Sequence, residues 1–510
     1  MRSRILYLTA LLATIFLVLL LAATLATRGT KASPGTTLYV STTGDDLNDC
    51  TSSITPCRTV QHAFDMAQDG DEILVAAGTY TGIMKEYLPA WSDFVTATVV
   101  ITKNIAALMG GYSLDFASRD PNANVTTLSA AASPEDFVIF ITATNTVIDG
   151  FTVTGSNGSN TWYGAGIRVN GGKPTLSHNR IQGNTAPLWG GGIYVTGNAA
   201  PTISANLIYS NTAEEGAGIY IRSGASVITG NVVVSNTAAM EGGGIFVNNA
   251  PVTIVSNTIA YNQTISTTGA RGGGIRTIGD SAIVTVSHNE VYSNSLVSGF
   301  GGGIDISSPA VIDSNYVHHN QGDGIIVADS PLPVTVTNNV IVWNYVTGIV
   351  GCNFSDVRIV NNTIYHNSAL GVDVFAWPTT PTIPITATIL NNIVVNHEDD
   401  CGINGWNGVT LVADYNDSYG NQWDYCGLAY PPNGTHNVSA DPLFVDPSAW
   451  DYHIQVASPA INKGTFTGAP STDFEGDARP YDCFIDIGAD ENTASDYCQR
   501  IYLPLILKNY

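Results

Sequence analysis

Residues 192–218 read GIYVTGNAAPTISANLIYSNTAEEGAG. Ile193-Tyr194-Val195 alternates inward and outward, as a half-buried strand does. Thr202-Ile203-Ser204 is a second short alternation, with Ile203 inward. Leu207 to Ser210 is a third, with Ile208 inward. Asn206 is read as the tight turn between them, because Asn tolerates left-handed backbone better than other non-glycine residues. So few inward residues cannot form a core alone. Stacked copies of the unit can.

The copies are present. Asn-x-[Ile/Val]-x-x-Asn begins at Asn179, Asn206, Asn231, Asn257, Asn289, Asn315, Asn339, Asn362 and Asn391, and a weaker copy runs from Asn416 to Asn421. Gly-x-Gly-Ile interleaves with it, placing Ile at 167, 193, 219, 245, 275, 304 and 325, with looser copies at Ile349 and Val372. Steps of 23 to 32 residues are too short for propeller blades, which need about 40. No helical period runs through them, and Leu is scarce at the repeated places. Equivalent strands then pair in parallel about 4.8 Å apart, and equivalent Asn side chains form amide ladders.

Composition agrees. Only 12% of residues are charged, against about 25% in an ordinary soluble domain, and Gly reaches 51. That suits short strands and tight turns. The net charge of −23 argues against a nucleic-acid partner, because phosphate binding needs a Lys/Arg footprint. It fits solubility outside the cell, and secondarily divalent-cation binding.

Residues 1–34 form a targeting segment. Arg2 and Arg4 precede an apolar run from Ile5 to Ala26, and Arg28 follows. The run reads either as a cleaved signal peptide or as an uncleaved membrane anchor. Both place the rest outside the cytoplasm. Seven cysteines suit export. Cys50 with Cys57, Cys401 with Cys426, and Cys483 with Cys498 are the expected pairs, which leaves Cys352 over.

Residues 35–135 read as an N-terminal cap and first coils. Val60, Ala63, Phe64 and Ala67 mark one face of a short helix. Tyr39-Val40-Ser41, Gly44-Asp45-Asp46, Thr59-Val60-Gln61, Asp69-Gly70-Asp71 and Ala77-Gly78-Thr79-Tyr80 resemble the opening of bacterial β-helix proteins of the pectate-lyase-like superfamily. The other end is more specific. Asp441 to Asp446, Tyr452 to Gln455, Ser458 to Gly464, Asp473 to Gly476, Arg479-Pro480 and Asp486 to Glu491 resemble, in order, the choice-of-anchor Q domain of surface β-helices.

The resemblance implies an all-β, right-handed parallel β-helix of three short strands per coil and about 10–13 coils. It implies a secreted or cell-surface protein and no particular reaction. The regular helix spans 136–440. The choice-of-anchor Q-like region, read as the C-terminal cap, spans 441–495. Residues 496–510 are an apolar tail, read as a sorting tail or a last strand.

Catalysis in this fold class would show as acidic residues on neighbouring coils. The residue after each repeated Ile points outward: Arg168, Tyr194, Tyr220, Phe246, Arg276, Asp305, Ile326, Val350, Asp373. Asp305 and Asp373 are about three coils apart, roughly 14 Å, too far for a glycosidase pair. Asp323 lies nearer, in a turn. Val357-Arg358-Ile359 resembles an element of polygalacturonases, but Val360 stands where Lys is needed. Asp305, Asp323, Asp373 and Arg358 remain the catalytic candidates.

Tyr194, Tyr220 and Phe246 should instead form an exposed aromatic row, with Arg168, Arg222 and Arg276 beside it and Trp162, Tyr163 and Trp189 on entering loops. Such rows bind sugar faces, and Arg pairs with carboxylates. The same rings also pack on one another as ordinary cross-strand neighbours. Asp45, Asp46, Asn48 and Asp49 make an oxygen-rich loop suited to calcium or simply to solvent. No cofactor is required. The leading expectation is a non-catalytic, monomeric surface protein that binds extracellular glycan or another cell. A polysaccharide lyase or hydrolase and a structural spacer are the alternatives.

Overall fold

The computed structural model describes residues 35–494, apart from 83, 89–92, 132–136, 159–162, 165, 354–355, 377–384, 398–399, 407 and 428–433. Three long sheets wind around one axis for about 11 turns. The first has 14 strands, from Thr37–Val40 to Val409–Asp414. The second has 13, from Gly78–Tyr80 to Asp417–Tyr419. The third has 14, ending at Trp423–Gly427. Pairing within them is parallel except where Met84–Leu88 runs against Asp93–Ile101.

The quoted coil folds as its alternation demands. Ile193–Thr196 joins the third sheet, Thr202–Ser204 the first and Leu207–Tyr209 the second. Ile193, Val195, Ile203 and Ile208 point inward and are fully buried in one continuous core. Helix Val60–Met66 packs Val60, Ala63 and Phe64 onto the first coils. Its N-cap Thr59 hydroxyl accepts from the His62 N–H.

The asparagines form two ladders, one at each end of the second-sheet strand. The Asn206 N–H and Nδ2 both donate to Asn231 Oδ1, each at 2.9 Å, and Nδ2 also donates to Leu176 O at 2.8 Å. Asn211 repeats this with Asn236 and Ile181.

Two readings need correction. The left-handed residue is not Asn206 but Ala205, at φ +53. Likewise His178, Ser256, His288 and Ser314 precede their ladder Asn with positive φ. The Asn side chain is thereby turned inward instead of making the turn. Second, the ladder runs from Asn362 to Asn392, not Asn391. Asn391 takes the left-handed place, at φ +58, and bonds Asn361 and Thr465 O. His397 then fills the second ladder between Asn367 and Asn421.

The C-terminal region lies along a flank of the rod. Phe444, Tyr452, Ile454, Ile461 and Ile487 pack on Val340, Val342, Ile393 and Val395 of the second sheet. Asn338 donates to Thr472 O, and Asn361 to Asp486 O and Gly488 O. The Cys50–Cys57 and Cys401–Cys426 disulfides are formed, and Cys483 is also disulfide-bonded. Cys352 is free, and Cys498 lies outside the described residues. The targeting segment and the apolar tail also lie outside them.

Asn231→Ala removes the acceptor of two Asn206 donors and should cost about 2–4 kcal/mol, the scale of orphaned buried polar groups. Denaturant unfolding measures this, and amide exchange at Asn206 should accelerate. Val232→Thr, on the exposed face of the same strand, should stay within about 0.5 kcal/mol of the parent.

Candidate ligand-binding face

The outward row of the third sheet runs in register from Arg168 through Tyr194, Tyr220, Phe246, Arg276 and Asp305 to Ile326, Val350 and Asp373. It is not exposed as the alternation implied. Tyr220 and Asp305 are 0% exposed, and Tyr194, Phe246 and Arg276 are buried with them.

The cause is the turn that enters each strand. Gly190, Gly216, Gly242, Gly272 and Gly301 all have positive φ, and a Cβ on each would meet the Cβ of Tyr194, Tyr220, Phe246, Arg276 or Asp305. The chain therefore crosses tightly beside the row. The residues just before these glycines pair coil to coil: Trp189 with Glu215, Glu215 with Glu241, Glu241 with Arg271, and Arg271 with Phe300. This outer row packs against the inner one.

At one end the two rows are aromatic. Trp189 stacks on Tyr163 at 4.6 Å and on Tyr220 at 5.4 Å, and Tyr220 meets Phe246 at 4.9 Å. The Arg168 guanidinium lies over Tyr194 at 5.5 Å. Arg222 is exposed and lies 4.7 Å over the Trp189 ring. Tyr163, Arg168, Trp189 and Arg222 are thus the described members of the aromatic end that meet solvent. Trp162 lies outside the described residues.

Farther along, the rows become an ion-pair lattice. Arg276 donates to Asp305 at 2.6 Å and to Glu241 at 3.1 Å. Arg271 donates to the other Asp305 oxygen at 3.0 Å and lies 3.7 Å from Asp329. Burial pushes the Asp305 carboxyl up, and both guanidiniums oppose that push. Arg276 is therefore a buried structural cation rather than a ligand-binding one.

Of the catalytic candidates, Asp323 lies within electrostatic reach of both Asp305 and Asp373, but each carboxylate has its own partners and Arg358 stands apart. Asp305 is enclosed by two arginines. Asp323 is buried and accepts the Thr347 N–H at 3.1 Å. Asp373 accepts from Asn404 and Trp406, and burial raises it to about 6. Arg358 stands exposed on the first sheet, 3.5 Å from Asp356. In the N-terminal loop, Asp45 caps Leu47 N, Asp49 caps Thr51 N, and Asp46 holds Arg58 N, Thr59 N and the Thr59 hydroxyl. Asn48 donates to Pro56 O. These side chains order the loop itself, and among the described residues no three of its carboxylates converge.

Two groups carry chemistry that the sequence reading passed over. Glu215 sits half-buried, and its carboxyl is raised to about 7, first by burial and then by Glu241 and Glu214. The second is His453, Glu475 and Asp490 on the C-terminal flank, beside a cavity of about 190 Å³. Glu475, followed by burial that opposes it and by Asp451, brings His453 up to about 10. Reading the column five residues before each outward position would have exposed Glu215 and Glu241.

The family described as right handed beta helix region matches residues 118–291 and 262–422. No curated protein matches the chain. Among solved structures, pectate lyase Pel9A is 15% identical, with a TM-score of 0.40, over 91% of this chain and 98% of its own. The periplasmic alginate epimerase AlgG is 14% identical, with a TM-score of 0.35, over 72% of this chain and 75% of its own.

A raised carboxylate opposes folding as pH rises between its unfolded and folded pKa values. The stabilising change Glu215→Gln should therefore be larger at pH 7.5 than at pH 5, by about 1–3 °C in melting temperature. Melts at the two pH values check it.

Proposed function

The chain belongs to the right-handed β-helix family, and from that premise we propose that it is an exported surface protein that binds extracellular polysaccharide without cleaving it. The observation that carries this reading is the exposed Arg222 lying over half-buried Trp189, with Tyr163 stacked behind. Aromatic rings supply flat apolar area for sugar C–H faces, and the guanidinium supplies paired donors for hydroxyls or uronate carboxylates. The aromatic end is rigid, because Tyr194, Tyr220 and Phe246 form its buried base. A rigid platform loses little entropy on binding.

The placement of the acids supports a reading without cleavage. Asp305 and Asp323 are enclosed, and Arg358 stands on another face. Export and surface display rest on the Arg2/Arg4-led apolar segment and on the choice-of-anchor Q resemblance of residues 441–495.

A hydrolase is the second reading, and Glu215 favours it. A carboxyl held near neutrality suits a general acid. Its neighbour Glu241 is paired with Arg276 at 3.1 Å.

Immobilised uronate polymers and neutral glucans, probed with the purified chain, separate the readings. Binding should weaken about tenfold or more in Trp189→Ala and Arg222→Ala, in line with loss of a stacking or cation contact. Absence of binding to every polymer would favour a spacer. Release of reducing ends, lost in Glu215→Gln, would favour the hydrolase.

A further inference from the structure

The C-terminal flank carries little regular structure beyond the pair Phe444–Asp446 and Asp451–Ile454. Three of its segments nevertheless meet at one point. His453 comes from the second strand, Glu475 from the turn that Asp473 organises, and Asp490 from the segment after Gly488. Their ligand atoms all lie within 4.8 Å of one another. We propose that His453, Glu475 and Asp490 form a binding site for a zinc-class divalent cation, oriented by Asp451.

Four observations support the assignment. First, His453 Nε2 and Glu475 Oε1 are 3.3 Å apart. Two ligands of a tetrahedral zinc, each about 2.0–2.1 Å from the metal, are separated by about that distance. Second, His453 Nδ1 lies 2.6 Å from Asp451 Oδ1. A carboxylate on the far ring nitrogen fixes the tautomer and aims the Nε2 lone pair at the metal, as in zinc sites generally. Third, Asp490 is buried, and its Oδ2 accepts the Ile454 N–H at 2.8 Å. That bond anchors the carboxylate and leaves its other oxygen for a ligand. Fourth, the three groups line the cavity of about 190 Å³, together with Trp450, Tyr452 and Phe474. There is room for water in the open coordination position.

The ligand set chooses the metal. Calcium takes six to eight oxygens, and magnesium keeps an octahedral shell of oxygen and water. One imidazole and two carboxylates suit zinc and its neighbours. The cation would replace the proton that His453 shares with Glu475. It would clip three loosely structured segments into one body, as metals do where a small region lacks its own core. This site is independent of the polysaccharide reading, because it lies on the second-sheet flank rather than the third-sheet face.

The test uses the full chain stripped with a chelator and titrated with zinc chloride in a calorimeter. Cobalt chloride serves as the optical probe. One equivalent should bind, and cobalt should give the visible absorption of a low-coordinate nitrogen–oxygen site. Glu475→Gln, at a half-exposed position that tolerates the change, should weaken zinc by at least about tenfold, and Asp451→Ala by about 10–100-fold. His453→Gln should abolish the cobalt band. Circular dichroism verifies that each variant is folded. No saturable zinc binding up to millimolar concentration would overturn the site. So would binding unchanged in folded Glu475→Gln and His453→Gln, which would identify an adventitious ion only. Displacement of zinc by a tenfold excess of calcium would overturn the zinc-class assignment.

Discussion

A β-helix coil must turn sharply twice around its second-sheet strand, and the backbone amides at those corners face an interior without water. An unpaired amide there costs on the order of 1–3 kcal/mol, and every coil has such corners. Here the side-chain oxygen of the next coil's asparagine accepts the N–H, as Asn231 does for Asn206 and Asn236 for Asn211. The same side chain donates to a strand carbonyl of the preceding coil, as Asn231 Nδ2 does to Ile203 O. Each asparagine therefore needs the coil after it. The repeats are coupled by hydrogen bonds as well as by the stacked isoleucines.

That coupling fixes the register and so dictates what surrounds the rod. Equivalent outward residues are held one strand spacing apart, about 4.8 Å, whether or not they suit each other. Like charges at that spacing repel, so a viable column must be apolar or must alternate in sign. Both solutions occur on the third sheet. Tyr194, Tyr220 and Phe246 are apolar neighbours, and Arg276 and Asp305 are opposite charges. Glu215 beside Glu241 breaks the rule, and burial, reinforced by that neighbour, raises its carboxyl to about 7. Asp305 would be untenable alone in a dry site. Two guanidiniums make it a structural ion rather than a reactive one.

The core was legible because its signal is local. Inward isoleucines follow a period of two, and corner asparagines follow a fixed offset from Ile203 or Ile228. The slip at Asn391 and Asn392 shows the limit of that signal. Asn391 matches the motif in full through Asn396, whereas Asn392 is followed by His397 at the second ladder place, and only the pairing of Thr363 with Ile393 shows that Asn392 is the ladder residue. Exposure of the outward row was not legible. Alternation tells which way a side chain leaves the sheet, not what crosses above it. The crossing depends on left-handed glycines such as Gly216 and Gly242, four residues upstream of the rings they touch. The site at His453, Glu475 and Asp490 was hidden for another reason. Its residues are 22 and 15 positions apart in the sequence (453 to 475, then 475 to 490), and only the folding of the C-terminal region along the flank joins them.

Regularity also limits where such a rod can do chemistry. Where the ladders and ion pairs are complete, as at Asn206–Asn231 and Arg276–Asp305, the polar groups are spent on the next coil. Unspent groups arise where the repeat is interrupted. Arg222 lies just past the strand Ile219–Ile221, outside the ladder, so its guanidinium is exposed and lies over the Trp189 ring while also bonding Tyr194. The C-terminal flank is the second interruption, since it abandons the coil and lies across Val340 and Ile393 with its own acids and histidine free of any column. Binding specificity can change at those two places without disturbing the asparagine ladders, whereas a charge inserted into the third-sheet row must be neutralised before the coil can close.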